Sequence, residues 1–132
     1  MSRRWASEER VLEELERLND ASMEQAREFK GLAVEAAEAE ATHKAMRAKA
    51  VLAVQAAGKA ATGKAVSVAQ AEVHAEADDD VAAAYLARLT SAALAEACRE
   101  NLRSIRSNQE ALRTAAASAR DSLTSPGFTG RR

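Results

Sequence analysis

The sequence predicts an all-α protein, and three observations carry that expectation. Of 132 residues, 34 are Ala, and Glu, Arg, Leu and Lys supply much of the remainder; these are the strongest helix formers. Gly occurs five times and Pro once, so breakers are few. Apolar residues recur at helical spacing, and no alternating strand pattern is present. The expected architecture is a long antiparallel helical hairpin, coiled-coil-like, forming one helical domain over 1–123.

The first helix is expected over about 8–57. Ser7 suits an N-cap, with Glu8 and Glu9 in the first turn. Val11, Leu15, Leu18, Ser22, Phe29, Leu32 and Ala36 then follow one helical face. Gly31 weakens that helix and invites a kink. The stretch GKAATGKAV, 58–66, reads as the turn. Ser67 is the next N-cap, and helix or helices follow over about 68–123, with a joint at Asp78-Asp79-Asp80 where Asp can cap a restart. Late in the chain Cys98, Ile105, Leu112 and Ala119 form one heptad column. Ala95, Leu102, Gln109, Ala116 and Leu123 form the other, with Gln109 as a polar interruption. Residues 124–132 read as a flexible tail.

Bulky apolar residues are scarce: Leu, Ile, Val and Phe together number 22 of 132, fewer than a packed globule carries. Alanine seams bury little area. The chain is therefore expected to complete its core in another copy of itself as a homo-oligomer, with Leu102, Ile105 and Leu112 as oligomerisation residues. The single Cys98 can form no internal disulfide and reads as an inert buried thiol. MSRRWASEER shows no apolar stretch behind its arginines, and no uninterrupted run of 18 apolar residues exists. The expectation is a cytoplasmic protein without a membrane partner.

Net charge is −1, but the charges are segregated. Residues 8–40 hold eleven acids and four bases; 41–64 hold five bases and no acid; 65–87 hold five acids and no Lys or Arg; 88–132 hold eight arginines and four acids. Folding the chain near residue 62 sets each block against its opposite, with Arg47 near Asp78 to Asp80 and Arg106 near Leu18 and Asp20. The arginines can then serve as pairing partners that set register. The other reading concerns bases left over. Arg99, Arg106, Arg113 and Arg120 recur every seven residues, about 10.5 Å along a helix, with Arg103 beside them. Guanidinium rows suit a phosphate backbone, and a single strand needs such a track, often with aromatic platforms. Of the four aromatic residues, Trp5 and Phe128 lie near the ends as possible stacking platforms, while Phe29 and Tyr85 are expected in the core.

Other chemistry fails on context. Gly58 to Ala65 falls one residue short of a P-loop, since Ala65 stands where a hydroxyl would hold Mg²⁺ and no strand precedes it. His74, Glu76 and the three aspartates read as a cap and salt-bridging face rather than a metal site. His43, next to Lys44, is expected to be exposed. No catalytic arrangement and no cofactor is expected, and the protein reads as no enzyme.

The order of blocks, with ATHKAMRAKAVLAV before a glycine-bearing loop, an acidic helix and then LRSIRSNQEALRTA, resembles small all-helical bacteriophage proteins. More distantly it is similar to the recombination mediators of T-even phages, over about 35–122. That resemblance implies an oligomer that binds single-stranded DNA and works beside a recombinase and single-strand-binding protein. It places Lys44, Arg47 and Lys49 on DNA; Lys59, Lys64, Arg99, Arg103, Arg106 and Arg113 complete the candidate DNA-binding set on charge grounds. The competing expectation is a helical protein-binding module, such as a phage adaptor, a host-factor inhibitor or a structural coiled-coil component.

Overall fold

In a computed structural model of the chain, the backbone of residues 3–124 and the side chains of 8–121 are described. These residues form three helices: α1, Arg3–Thr62; α2, Val68–Glu76; and α3, Asp79–Thr124. No strand occurs among the described residues, so the all-α expectation holds. The predicted tail lies outside the described residues from 125 onward.

Local side-chain chemistry explains most boundaries. Ser67 is the N-cap of α2, its hydroxyl accepting from the Gln70 amide at 3.2 Å. Asp78 caps α3: its Oδ1 accepts from the amides of Asp80 at 2.9 Å and Val81 at 3.2 Å. Asp79 and Asp80 follow in the first turn of α3, where negative charge favours a helix start. Two expected boundaries are corrected. α1 starts at Arg3, so Ser7 lies inside the helix rather than capping it. At the other end α1 continues through Gly58 to Thr62, and the turn shrinks to 63–67. The helix stops where Gly63 takes a φ of 74°, the left-handed cap that a side chain resists. Its amide donates to the Lys59 carbonyl at 2.8 Å, and the Thr62 hydroxyl donates to the Gly58 carbonyl at 2.8 Å. Gly31 sits within continuous α1.

The chain divides into two compact units, one drawn from the described residues up to Glu28 and from Cys98 on, the other comprising Phe29–Ala97. In the first unit α1 and α3 run antiparallel. Leu18, Cys98, Leu102 and Gln109 are buried, and Ile105 and Leu112 are half-buried. Gln109 Nε2 donates to Asn19 Oδ1 at 2.6 Å, so the polar interruption of the seam is satisfied within the chain. Cys98 is a free buried thiol, as expected, with Sγ 3.4 Å from Gln25 Oε1 and 3.6 Å from the Gln25 carbonyl. Burial first, and the Glu28 charge second, raise its pKa.

In the second unit α2 and the first part of α3 pack on α1. Ala71 and Ala75, one turn apart on α2, are fully buried, joined by Val81 and Ala95 of α3. Gly58 allows close approach, because a Cβ there would overlap Val66 Cγ2. Among the described residues the buried apolar side chains are Leu18, Ala71, Ala75, Val81, Ala95, Cys98 and Leu102. Three of these are Ala, so the core is thin, as the composition predicts.

Candidate nucleic-acid interface

The predicted bases do not share one environment. Arg47 is half-buried in the second unit, with Nη2 3.2 Å from Glu76 Oε1 and 3.8 Å from Glu72 Oε2. It therefore pairs with α2, about one turn short of the expected Asp78 to Asp80. Lys44, exposed one turn earlier, pairs with Glu40 on its own helix at 3.0 Å. Lys49 follows Arg47 by two residues, about 200° around the helix. It is exposed and makes no ion pair among the described residues. Lys59 in the last turn of α1 and Lys64 in the following loop are likewise exposed and free of ion pairs among the described residues. Lys59 also sits well there, near the negative end of the helix dipole.

Beneath Lys44 lies a polar cluster. Arg88 of α3 donates from Nη2 to Glu40 Oε1 at 3.2 Å, and its Nη1 lies 3.1 Å from His43 Nδ1. Guanidinium only donates, so that imidazole nitrogen accepts. Glu40 is held below the usual glutamate range, first by the Lys44 hydrogen bond and then by the charges of Lys44 and Arg88. His43 is 8% exposed, which corrects the expectation of an exposed histidine. Tyr85, expected in the core, is instead 49% exposed, its ring tilted against His43 with centroids 5.2 Å apart. Phe29 is half-buried. His43, Arg47, Glu76, Val81, Ala82 and Tyr85 line a cavity of about 400 Å³. Sequence reading passed over Arg88. It is the single base between Lys64 and Arg99, and a lone charge in an apolar stretch was the available signal.

On α3 the row Arg99, Arg106, Arg113 and Arg120 is exposed. A seven-residue step falls about 20° short of two full turns, so the row drifts slowly around the helix. Arg103 is tied to Glu100 on its own helix at 2.7 Å, and Arg113 to Glu110 at 3.8 Å. Arg106 makes no ion pair among the described residues. Arg103 and Arg113 thus pair with carboxylates one turn earlier on their own helix. Among the oligomerisation candidates, Leu102 is spent on packing inside its own unit, and Ile105 and Leu112 are partly so. The Trp5 side chain and Phe128 lie outside what is described.

No group of three or more His, Cys, Asp or Glu that could hold a metal occurs among the described residues. Within Asp79–Asp121 an 18-residue window reaches a mean hydropathy of 1.2, with only 17% of it buried. By length and composition alone that helix passes for a membrane span, although it lacks an unbroken apolar run. Compared with family models, curated proteins and solved structures, the chain matches none.

Proposed function

We propose that this chain is a non-catalytic, self-assembling helical protein that holds single-stranded DNA, an accessory factor for recombination or replication acting in the cytoplasm of a cell or phage host. One observation carries the reading. Lys49, Lys59 and Lys64 stand exposed and without ion partners among the described residues, in a stretch, 41–64, that contains no acid. Such cations attract a phosphate backbone and release its counterions. Arg106 and the α3 arginines add charge, and assembly multiplies a weak track by the number of copies. The resemblance to phage recombination mediators agrees with this role and supplies the proposed company of a recombinase and single-strand-binding protein. Arg47 and Lys44 have a structural task in this reading, since each already neutralises a carboxylate.

The test is charge reversal read by fluorescence anisotropy on a labelled single-stranded oligonucleotide. Replacing Lys49, Lys59 and Lys64 together by Glu removes three phosphate contacts per chain. The slope of log affinity against log salt should then flatten by about 2, at about 0.7 per contact on single strands. An unchanged slope and affinity would remove these lysines from the interface.

A second reading, a helical module that binds another protein, draws on the exposed apolar side chains Tyr85, Leu86, Leu89 and Leu94. It predicts partner binding that changes little with salt, because apolar contacts are not screened.

A further inference from the structure

We propose that the cavity between His43, Arg47, Glu76 and Tyr85 is a binding site for one uncharged nucleobase, carried by a single strand or by a free nucleoside. The choice of a base rests on the single-strand reading above; the cavity itself does not.

The cavity lies within the second unit, where α1, α2 and α3 meet, and its volume of about 400 Å³ falls in the range of small-ligand sites, about 300–1,000 Å³. His43 is the group that points to a ligand. More than nine-tenths of it is buried. Its Nδ1 accepts from Arg88 Nη1 at 3.1 Å, which leaves the ring proton on Nε2. Nε2 has no hydrogen-bond partner among the described residues, and no fully sealed side-chain nitrogen or oxygen there lacks one. Nε2 is therefore not sealed, and its ring lines the cavity, so the N–H is a donor offered to whatever enters.

The remaining walls select the occupant. Arg47 faces Glu76 at 3.2 Å and Glu72 at 3.8 Å, two carboxylates against one guanidinium. An added anion would meet those carboxylates with no unopposed positive charge to hold it. A cation would meet the Arg47 guanidinium and the His43 N–H. An uncharged group meets neither obstacle. Arg47 has N–H groups beyond the one spent on Glu76, and the carboxylate of Glu76 accepts more than one bond, so a donor and an acceptor stand side by side. Val81 and Ala82 supply apolar wall. The Tyr85 ring, nearly half exposed, rests against His43 with centroids 5.2 Å apart, which holds it as a platform. A nucleobase matches this set: it is planar, stacks on an aromatic face, and carries donors and acceptors along its edge. Only the base would enter; Glu72, Glu76 and Asp78–Asp80 beside the cavity keep phosphate outside it.

The test uses the full chain and two labelled single strands of equal length, one of deoxyadenosine nucleotides and one abasic, with the same phosphates. At about 50 mM salt, where phosphate contacts are strong, wild type should bind the base-bearing strand at least about fivefold more tightly, the scale of a single base–aromatic stack. Tyr85→Ala should bind both strands alike, and Tyr85→Phe should keep the difference. Free deoxyadenosine is the second arm, read in the wild type from the imidazole proton resonances of His43; the chain has two histidines, and His74→Gln assigns them. A strand difference that Tyr85→Ala removes gives the pocket to the strand. His43 signals that move with nucleoside, while the strands bind alike or not at all, give it to a free nucleoside. Strands that bind alike with unmoved His43 signals overturn this site and leave the phosphate reading standing, and so does a strand difference that persists in folded Tyr85→Ala. No response in any arm overturns both.

Discussion

Two glycines of α1 should respond to alanine in opposite directions. Both are helical, so each Gly→Ala change starts from the same gain of about 1 kcal/mol in helix propensity. At Gly31 a new Cβ meets nothing within 4 Å. Gly31→Ala should keep the full gain and raise the melting temperature by about 4 °C for a chain of this length. At Gly58 the new Cβ overlaps Val66 Cγ2, and Val66 is stiff at χ1 and held in the short 63–67 connection. Displacing it costs about 1–3 kcal/mol, which cancels or reverses the gain. Gly58→Ala should leave the melting temperature unchanged or lower it by up to about 8 °C. Trimming the obstacle should restore the gain, so Gly58→Ala should stabilise in a Val66→Ala background. The coupling between the two sites is the quantity to measure. Circular dichroism melts at one fixed protein concentration suffice, since assembly makes melting concentration-dependent. Equal stabilisation by both single alanines would show that Val66 does not lie against α1, and the account of the 58–67 turn would fail.

Three further outcomes follow from single side chains. Cys98, its pKa raised by burial and by Glu28, should react with a thiol-specific disulfide reagent at pH 8 at least tenfold more slowly in the native chain than in urea, because the thiolate is the nucleophile; equal rates would place it at the surface. Glu40 has a depressed folded pKa, so its contribution is complete above the unfolded glutamate value and is lost as pH falls through the folded one. Glu40→Gln should therefore reduce stability at pH 7 and shrink the difference between the variants in acid, and a gap that stays constant with pH would contradict the Lys44 and Arg88 contacts. Arg88→Met should destabilise by about 1–3 kcal/mol by leaving the buried His43 Nδ1 without a donor, measured by urea unfolding, whereas exposed Arg106→Met should stay within about 0.5 kcal/mol.

What could be read from the sequence was whatever is decided within a few residues. Ser67 and Asp78 bind their own following amides, so both helix starts were legible. The late seam was legible too, because Cys98, Leu102, Ile105 and Gln109 recur at steps of four, three and four residues, with Ile105 half-buried and the other three buried. What depends on cross-helix register was not. Alanine seams fit in several registers, so nothing local could show that Arg47 meets Glu72 and Glu76 instead of the aspartates. Nor could it show that Arg88 reaches back to His43 and Glu40, which buries the imidazole and leaves Tyr85 outside. The run through Gly58 to Thr62 was hidden for a related reason: Val66 packs on that glycine, and tertiary contact overrides its weak propensity. The candidate site changed accordingly. Charge counting gathered nine bases, and the structure ties Lys44, Arg47, Arg103 and Arg113 to carboxylates while Lys49, Lys59, Lys64 and Arg106 make no ion pair among the described residues.

The most direct measurement is a titration of the full chain against a fluorescein-labelled single-stranded oligonucleotide at about 50 mM and about 200 mM salt, where the electrostatic contribution is first strong and then screened. The account predicts saturable binding at the lower salt and a loss of tenfold or more at the higher. Absence of binding at the lower salt, or an affinity that does not move between the two, would contradict it.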